Sequence, residues 1–385
     1  MQRNFDFLVV GGGIAGVAVA SELARRGSVL VLEREANLAY HTTGRSAAIS
    51  MESYGNLLIR RLTCASREFF LAASSDMTDQ PLWSPRGALI VGDETQREKL
   101  QARYQVVQEQ VPSAKWVGRE EIESMAPFMA SRSVAGIYEP TAFDLDVHAI
   151  HSAFLRGLRT RGGLVRVSSE LKEASRAGET WTVRTADHAS FQSRYVINAA
   201  GAWADEVASI FGASVLGLQA LQRTVVVVDP EQDVSHCPYV GTIDEQIFLK
   251  PDLGRLMVSP CDETPTTPCD ALPDELSVAI AMDRLEKMTS LRPKRVLNRW
   301  AGLRVFASDR SPVIGLDPLI DGFVWCAALG GYGIQTAPAM ARLCAALTTG
   351  ESVPSDLSAI SVDEINPLRV TEIGSHKLVS VDTLK

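Results

Sequence analysis

Apolar residues along the chain alternate between short continuous runs and helical spacing, and the first two runs enclose a glycine-rich turn. Residues 5–10 are mostly apolar, which predicts a buried strand. Apolar residues then recur at helical spacing from 17 to 24 before Gly27, and residues 29–32 form a second apolar run that ends at Glu33. This order predicts one complete βαβ unit.

The same alternation continues along the chain without a linker, an internal repeat or a low-complexity tract. We therefore expect two domains that are interleaved and share several crossings. The predicted helices cover residues 57–75, 148–161, part of 272–291, and 335–347. The predicted strands cover residues 87–91, 134–138, 165–167, 181–184, 195–199, 225–228, 247–250 and 322–328. From Pro367 onward no firm pattern remains, and a strand, a tail or an oligomer contact all stay open.

The composition is that of an ordinary globular protein with an acidic excess. The chain has 385 residues, of which 46% are hydrophobic and 22% charged, and this length suits two packed domains. The formal net charge is -8, opposite in sign to a general nucleic-acid surface. The charge therefore argues against nucleic acid as a partner.

Neither the cysteines nor the histidines indicate a metal site. The six cysteines are scattered, with no C-x-x-C pair, which favours a reducing compartment. His148 and His151 stand three residues apart without a third ligand and are expected to be structural or at the surface. The chain shows no secretory leader and no run of the ~20 apolar residues that span a membrane. The expected location is the cytoplasm, with a peripheral contact at the inner membrane left open.

The strongest chemical signal is the motif Gly11-x-Gly13-x-x-Gly16, which follows the first predicted strand and opens the first helix. Its first glycine allows a tight turn, the second lets the backbone approach a pyrophosphate, and the third lets helix and strand pack closely. The pyrophosphate would lie at the positive end of the helix. Glu33, about 20 residues further on, can accept hydrogen bonds from ribose hydroxyls. Together these features predict dinucleotide binding.

The segment 34–48 distinguishes FAD from NAD. After the second strand the chain enters a run of small and hydroxyl-bearing residues that includes Thr42, Thr43, Gly44 and Ser46. Such residues allow close approach to a flat ring and offer backbone N–H groups to it, which an NAD site does not need. A helix N-cap at Thr42 or Thr43 would explain the hydroxyls but not the whole run. The segment favours FAD.

Four motifs resemble those of one flavoprotein superfamily: H-T-T-G-R-S-A-A at 41–48, N-A-A-G-A-W at 198–203, A-G-L-R at 301–304 and G-G-Y-G-I-Q-T at 330–336. In this order they are similar to the D-amino-acid oxidase superfamily, and most closely to bacterial FAD-dependent D-arginine dehydrogenases. The resemblance implies a Rossmann-type FAD-binding domain interleaved with a smaller α+β substrate domain that contains an antiparallel sheet. It also implies oxidation of a D-amino acid to its imino acid by hydride transfer from Cα to flavin N5, followed by hydrolysis in water.

On this resemblance the FAD-binding domain is discontinuous and comprises residues 1–82, 142–215 and 300–365. The substrate domain comprises 83–141 and 216–299, and residues 366–385 form a C-terminal tail. FAD is expected to bind noncovalently, because no cysteine or histidine is convincingly placed to tether the ring. Cys326 precedes the G-G-Y-G turn, but it falls in an apolar run and is expected to lie in the core, as are Trp300 and Trp325.

The resemblance also assigns the cofactor contacts. The first part of the chain supplies Gly11, Gly13, Ala15, Gly16, Glu33, Arg34, His41, Thr42, Thr43, Gly44, Arg45, Ser46, Ala47 and Ala48. Later segments supply Leu171, Gly201, Gly331, Tyr332, Gly333, Ile334, Gln335 and Thr336. Leu171 would lie by the adenine through its backbone, and residues 331–336 would surround the isoalloxazine ring.

Three residues match the family's catalytic site. Arg223 in L-Q-R-T and Arg304 in A-G-L-R correspond to a carboxylate clamp, and Tyr54 corresponds to a tyrosine over the substrate amine. Two guanidiniums suit this task because each presents a planar fork to a carboxylate. Arg304 also lies within the apolar stretch W-A-G-L-R-V-F, where an unpaired charge would be costly.

The chain departs from the arginine dehydrogenases in the substrate pocket, where Gly331 is also expected. Ile49, Met51, Ala88 and Phe248 stand where those enzymes have a histidine, a threonine, a cation-binding glutamate and a tyrosine. Each change removes a polar group, and a buried substrate guanidinium without an anion would cost several kcal/mol. We therefore expect an apolar side chain or an N-substituted amino acid as substrate.

Three functions stay open at this point. The first is oxidation of an apolar D-amino acid, and the second is oxidation of an N-alkyl glycine, a cyclic imino acid or a 2-hydroxy acid on the same scaffold. The third is a flavin-binding partner protein without turnover, against which the paired arginines argue. The electron acceptor, O₂ or a quinone, and the oligomeric state are not indicated by any motif.

Overall fold

The structure is a computed structural model that describes residues 4–73, 75, 77–129 and 133–370. Its helices are α1 (Ile14–Leu23), α2 (Leu57–Leu71), α3 (Arg97–Gln110), α4 (Arg119–Met125), α5 (Val147–Thr160), α6 (Ala204–Ile210), α7 (Glu275–Met288) and α8 (Gly333–Thr349). The first twelve strands are β1 (Asn4–Val10), β2 (Val29–Leu32), β3 (Ile49–Ser50), β4 (Trp83–Pro85), β5 (Ala88–Gly92), β6 (Lys115–Gly118), β7 (Ala135–Glu139), β8 (Phe143–Leu145), β9 (Leu164–Arg166), β10 (Leu171–Ala177), β11 (Thr180–Thr185) and β12 (Ser190–Asn198). The others are β13 (Gln219–Val228), β14 (Tyr239–Thr242), β15 (Phe248–Asp252), β16 (Arg255–Ser259), β17 (Thr264–Thr266), β18 (Val296–Phe306), β19 (Val313–Leu316) and β20 (Phe323–Ala327).

The first sheet has a parallel centre that is covered on both faces. β1 pairs in parallel with β2 and β12, β2 with β9, and β12 with β20, while β10, β11 and β19 add antiparallel strands at the edges. Alternate residues of β1 enter two separate cores, with Val9 in the cluster that includes α1, α5 and α8 and Leu8 in the cluster on the opposite face. Burial on both faces explains why these strands are continuously apolar rather than alternating.

The second sheet is mostly antiparallel and comes from two separate stretches of the chain. Its order is β17-β13-β16-β15-β14-β5-β7-β6, and β18 pairs antiparallel with β13 along nearly its whole length. Among the described strands of this sheet, only the pair of β5 with β14 is parallel. Helix α7 covers one core of this sheet through Val278, Ala281 and Leu285. A small third sheet, β3-β8-β4, lies at the crossings between the two regions.

This architecture confirms the predicted fold class, a Rossmann-type sheet interleaved with an α+β region that contains an antiparallel sheet. The first sheet draws on residues 4–32, 164–198 and 313–327, and the second on 88–139 and 219–306. The exact domain boundaries stay a prediction. Of the predicted tail, residues 366–370 are described, with Val370 buried and Arg369 paired to Asp309 at 2.7 Å, and residues 371–385 lie outside the described part.

Several elements escaped prediction because their sequence patterns are weak. Helix α3 buries only Leu100 and Val107, so its apolar stripe is too narrow to stand out.

Within the described residues, every helix is too short or too polar to cross a membrane.

Candidate active site and cofactor cradle

A cavity of about 1110 Å³ lies where the two sheets meet. It is large enough for a dinucleotide's reactive end together with a small substrate. Its wall combines the start of α1, the segment 42–51, the loop around Tyr54 and the turn at 328–333 with strands β5, β13, β14 and β18.

The glycine motif forms a turn that admits no side chain at two positions. Gly11 has a φ of +110°, and a Cβ built there would lie 2.4 Å from the carbonyl oxygen of Ala199. A Cβ on Gly16 would lie 1.8 Å from the carbonyl oxygen of Gly11. The backbone of Gly13 and Ala15 at the start of α1 lines the cavity, and the first turn of this helix carries no acidic residue. Its positive end is therefore available to an anion.

The side chains of Glu33 and His151 form hydrogen bonds with the backbone of this turn at Gly12. Glu33 Oε2 accepts the Gly12 N–H at 2.8 Å, and Oε1 accepts the Glu35 N–H at 2.9 Å. His151 Nε2 lies 3.0 Å from the carbonyl oxygen of Gly12. Burial lowers the pKa of His151, so its ring is neutral near pH 7 and Nε2 carries the donated proton. His151 is thus structural, and no group of three potential metal ligands occurs among the described residues.

The hydroxyl-bearing segment connects the glycine turn to the second sheet. Thr43 Oγ1 accepts the Ile14 N–H at 3.0 Å, and Thr42 Oγ1 donates to the carbonyl oxygen of Leu303 at 2.7 Å. The guanidinium of Arg45 donates to the carbonyl oxygens of Ala271 and Ala301. Arg45, which also lines the cavity, therefore holds two regions of the chain together.

The structure brings most of the predicted cofactor residues to the cavity. Those that line it are Gly13, Ala15, Thr42, Thr43, Arg45, Ser46, Ala47, Ala48, Gly201, Gly331, Tyr332, Gly333, Ile334 and Gln335. Gly11, Gly16, Glu33, Arg34, His41, Gly44, Leu171 and Thr336 do not line it. Their predicted contacts with the cofactor stay predictions, and several of them support the lining residues, as Gly11, Gly16 and Glu33 do.

Arg223 and Arg304 lie on one face of the second sheet. Arg223 of β13 is opposite Gly302 of β18, and Arg304 is opposite Leu221, so the two arginines are diagonal neighbours on the same face. Both line the cavity. Arg304 Nη1 and Arg223 Nη2 lie 3.2 Å and 3.3 Å from the same oxygen, Oε1 of Glu263. The pair therefore already has the geometry to bind one carboxylate.

Room for the Arg304 guanidinium depends on Gly331. A Cβ on Gly331 would lie 2.2 Å from Nε and 2.3 Å from Nη2 of Arg304. Arg304 Nη2 also lies 3.4 Å from the Tyr54 hydroxyl, and the rings of Tyr54 and Tyr332 are 5.0 Å apart. Because Gly331 has no side chain, the buried Arg304 guanidinium can lie at the cavity wall close to the phenols of Tyr54 and Tyr332.

The phenols of Tyr332 and Tyr239 do not act as bases at neutral pH. Burial raises the pKa of Tyr332 to about 12 and raises that of Tyr239 well above its ordinary value. Both hydroxyls therefore stay protonated.

The predicted pocket residues form an apolar part of the wall. Met51 and Ala88 are buried in a cluster with Ala142, and Ile49 packs against this cluster. Phe248 lines the same cavity, and its ring stacks on that of Tyr239 with centroids 5.5 Å apart.

Sequence reasoning missed several charged residues at the cavity. Buried Glu139 accepts hydrogen bonds from the Glu52 N–H and the Ser53 hydroxyl, and burial raises its pKa. Arg103 donates to the carbonyl oxygen of Ser53. Glu139 is the direct partner of Ala88 across β5 and β7, so a carboxyl group lies beside the apolar residues, and the uncharged character of the pocket stays a prediction. No motif marks these charged residues, because they meet only after folding.

The two predicted core tryptophans differ. Trp325 is fully buried, whereas Trp300 is half-buried and its indole N–H donates to the carbonyl oxygen of Arg45 at 2.8 Å. Cys326 is buried, with its sulfur 3.1 Å from that of Met340, and it also lines the cavity.

The fold and the cavity are typical of proteins in which a Rossmann-type domain holds a dinucleotide, and here the cavity is also lined by Arg223 and Arg304. The family model described as FAD dependent oxidoreductase (DAO) matches residues 6–347, so the chain belongs to this family. The cofactor is FAD, and the protein is an oxidoreductase.

The individual proteins to which the chain is similar share only a small fraction of identical residues with it. FAD-dependent oxidoreductase domain-containing protein 1 from Bos taurus is 23% identical, over 88% of this chain and 80% of that protein. Glycine oxidase from Bacillus subtilis (strain 168) is 22% identical, over 96% of this chain and 100% of that protein. The crystal structure of L-proline dehydrogenase from P. horikoshii has a TM-score of 0.84 at 20% identity, and covers 97% of this chain and 99% of that one. The closer resemblance to D-arginine dehydrogenases stays a prediction.

The residues present fit FAD. The close packing at Gly11 and Gly16, the absence of an acidic residue from the first turn of α1 and the small residues from Ser46 to Ala48 together provide a cradle for a pyrophosphate and a flat ring.

Gly16→Ala is expected to abolish FAD binding. The added Cβ would overlap the carbonyl oxygen of Gly11 and push the start of α1 away from β1. The ratio of flavin to protein absorbance after purification measures the effect. Gly118→Ala is the matched control, because a Cβ at Gly118 meets nothing within 4 Å and should retain full flavin content. Normal flavin content in Gly16→Ala would contradict the role given to this turn.

Acid precipitation is expected to release FAD into the supernatant. Cys326 is the cysteine nearest the G-G-Y-G turn in sequence, and although it lines the cavity it is buried, with its sulfur 3.1 Å from that of Met340. The absorbance spectrum of supernatant and pellet after precipitation measures the outcome. A yellow pellet would show a covalent bond.

Proposed function

We propose that this oxidoreductase acts on a small amine that carries a carboxylate, with an apolar D-amino acid as the first candidate. The observation that supports this most directly is the position of Arg223 and Arg304 on one sheet face, in the same cavity as the glycine turn of the cofactor site. Two buried or half-buried guanidiniums beside a flavin site suit a carboxylate ligand.

Each part of the cavity then has a task. Arg223 and Arg304 bind the substrate carboxylate and so fix its Cα in the cavity. The Tyr54 hydroxyl, which is close to Arg304, contacts the substrate amine. The wall around Met51 and Ala88 receives the side chain. FAD, when bound, would supply the acceptor for the hydride of the substrate carbon. The amine would react in its neutral form, and the resulting iminium would be hydrolysed by water to a keto acid and ammonium.

The proton of the substrate ammonium has no assigned acceptor. Tyr332 and Tyr239 are excluded as bases at neutral pH because their pKa values are raised. A bound water, Tyr54 or deprotonation before binding all fit this site. The electron acceptor, O₂ or a quinone, and a cytoplasmic location remain part of this proposal.

A second candidate is a secondary amine such as an N-alkyl glycine or a cyclic imino acid. The similarity to L-proline dehydrogenase supports it, since proline is a cyclic secondary amine that carries a carboxylate, whereas the glycine named in glycine oxidase is a primary amine and fits either candidate. Such a substrate would use the same two arginines and differ only in the contacts of its nitrogen substituent. A 2-hydroxy acid would use the same clamp.

Anaerobic flavin reduction separates these candidates. Holoprotein is mixed without O₂ with D- and L-amino acids, N-methyl amino acids, proline and 2-hydroxy acids, and bleaching of the flavin is followed. We expect rapid bleaching by D-leucine or D-methionine. Bleaching only by secondary amines would select the second candidate, and no bleaching by any carboxylate compound would indicate a flavin-binding protein without this activity.

Arg304→Ala is expected to abolish flavin reduction by substrate while FAD stays bound. Losing one arm of a desolvated clamp costs about 2–5 kcal/mol, or roughly 30-fold to several thousand-fold in kcat/KM. Arg299→Ala on the same strand is the matched control, because Arg299 is exposed and paired only with Glu275 in the described part. A kcat/KM within threefold of the parent would mean that Arg304 does not contact substrate.

Side-chain preference is expected to follow the apolar wall. Each buried CH₂ contributes about 0.8 kcal/mol, so D-leucine or D-methionine should gain about 2–3 kcal/mol over D-alanine. Ala88→Glu should move the preference towards D-arginine and D-lysine, and Ala88→Gln, of equal size and no charge, should not. The measurement is kcat/KM for each substrate. A tenfold preference of the parent for D-arginine would contradict this assignment and direct attention to Glu139.

A further inference from the structure

The two clamp arginines are occupied by a carboxylate of the protein itself. Glu263 Oε1 lies 3.3 Å from Arg223 Nη2 and 3.2 Å from Arg304 Nη1. The same carboxylate contacts a third arginine, Arg310, at 2.7 Å through Oε1 and 3.0 Å through Oε2. These are the N–H groups that a substrate carboxylate would need.

The contacts of Glu263 are unequal. Its pair with Arg310 is bidentate and shorter, and the Arg310 side chain is 48% exposed. Its contacts with Arg223 and Arg304 are single and longer, and these side chains are only 13% and 8% exposed. A small movement of the Glu263 carboxylate towards Arg310 would therefore break the clamp contacts and keep the stronger pair.

The backbone beside Glu263 is fixed independently of its side chain. The Asp262 carboxylate accepts the Thr224 N–H at 2.7 Å and the Thr224 hydroxyl at 2.8 Å, and the Asp262 carbonyl oxygen accepts Arg223 Nε–H at 2.8 Å. The loop is thus tied to β13 by Asp262. The Glu263 side chain can change partners by rotation, without movement of the loop.

The charges favour such an exchange. Three guanidiniums face one carboxylate, so a second carboxylate can enter without expelling the first from the cluster. Among the described residues, no other acidic side chain forms an ion pair with Arg310. After the exchange each carboxylate would keep at least one guanidinium.

We propose that Glu263 is an internal competitor for the carboxylate clamp, and that it moves to Arg310 alone when a carboxylate ligand binds to Arg223 and Arg304. Glu263 thereby sets the affinity for the ligand carboxylate, and Arg310 lowers the cost of its displacement. This inference rests on the carboxylate clamp of the proposed function. The alternative is that Glu263 holds the two guanidiniums in position, in which case its removal would weaken ligand binding.

Benzoate binding to the purified holoprotein tests the direction of the effect. Its dissociation constant is measured by isothermal titration calorimetry at pH 7.5 and low salt, for the parent and for Glu263→Gln. We expect a dissociation constant about tenfold lower in Glu263→Gln, because a competing charge is removed from the clamp. Glu275→Gln removes the exposed carboxylate of α7 that pairs with Arg299 of β18, and it should leave the constant within twofold of the parent.

A double-mutant cycle with Arg310→Gln tests the exchange itself. In the parent background this change should raise the dissociation constant several-fold, because Glu263 then has only the clamp arginines as partners. In the Glu263→Gln background the effect of Arg310→Gln should be much smaller, since this variant has no Glu263 carboxylate that could move to Arg310. If Glu263→Gln loses its flavin, the benzoate dissociation constant of Arg310→Gln still tests the proposal. A constant equal to that of the parent would overturn it.

The contrary outcomes are distinct. An unchanged or raised dissociation constant in Glu263→Gln, or equal effects of Arg310→Gln in both backgrounds, would overturn the inference. No benzoate binding to parent and variant would overturn it together with the clamp. If only the proposed function is wrong, the benzoate dissociation constants will change as expected across the double-mutant cycle, but no amine will bleach the flavin.

Discussion

The buried guanidinium of Arg304 is the constraint around which the rest of the site is arranged. The residue is 7% exposed, and a permanent charge at such depth costs several kcal/mol unless it is paired and hydrogen-bonded. The surrounding structure meets this demand with the Glu263 carboxylate, the Tyr54 hydroxyl and the face of Tyr332. Gly331 leaves the volume that the guanidinium occupies. The contacts that stabilise the Arg304 guanidinium also hold it in a position from which it can bind a carboxylate, as its pair with Glu263 shows.

Strand β18 connects this charge to the cofactor turn. It carries Arg304, pairs with β13 through ten residues of β13, and its carbonyl oxygens at Ala301 and Leu303 accept from Arg45 and Thr42. Thr43, next in the chain, accepts the Ile14 N–H at the start of α1. The two arginines and the glycine turn are therefore connected by a short path of hydrogen bonds between the side chains of Thr42, Thr43 and Arg45 and backbone groups of β18 and α1.

The predicted elements that the structure reproduces best are those with both faces buried. The runs at 5–10 and 29–32 became β1 and β2 with shifts of at most one residue, because a parallel strand covered on both faces is apolar throughout. Helix α3 was missed because it exposes most of its surface. Among the predicted site residues, Arg223, Arg304, Tyr54 and Ala88 line one cavity, whereas Arg34 and Leu171 do not reach it. Arg34 instead lies over the ring of Trp203.

The sequence by itself determined the dinucleotide turn, the Rossmann-type unit and the family, because these depend on local spacing: three glycines, two apolar runs and an acid at a fixed distance. Only the tertiary structure decided which charges meet. Glu263 reaches Arg304 across 41 residues and Arg310 across 47, and Glu139 reaches Ser53 across 86. Contacts of this range follow from how strands are ordered in a sheet, and strand order leaves no periodic trace in the chain. The charge balance of the clamp is therefore a property of the folded protein alone.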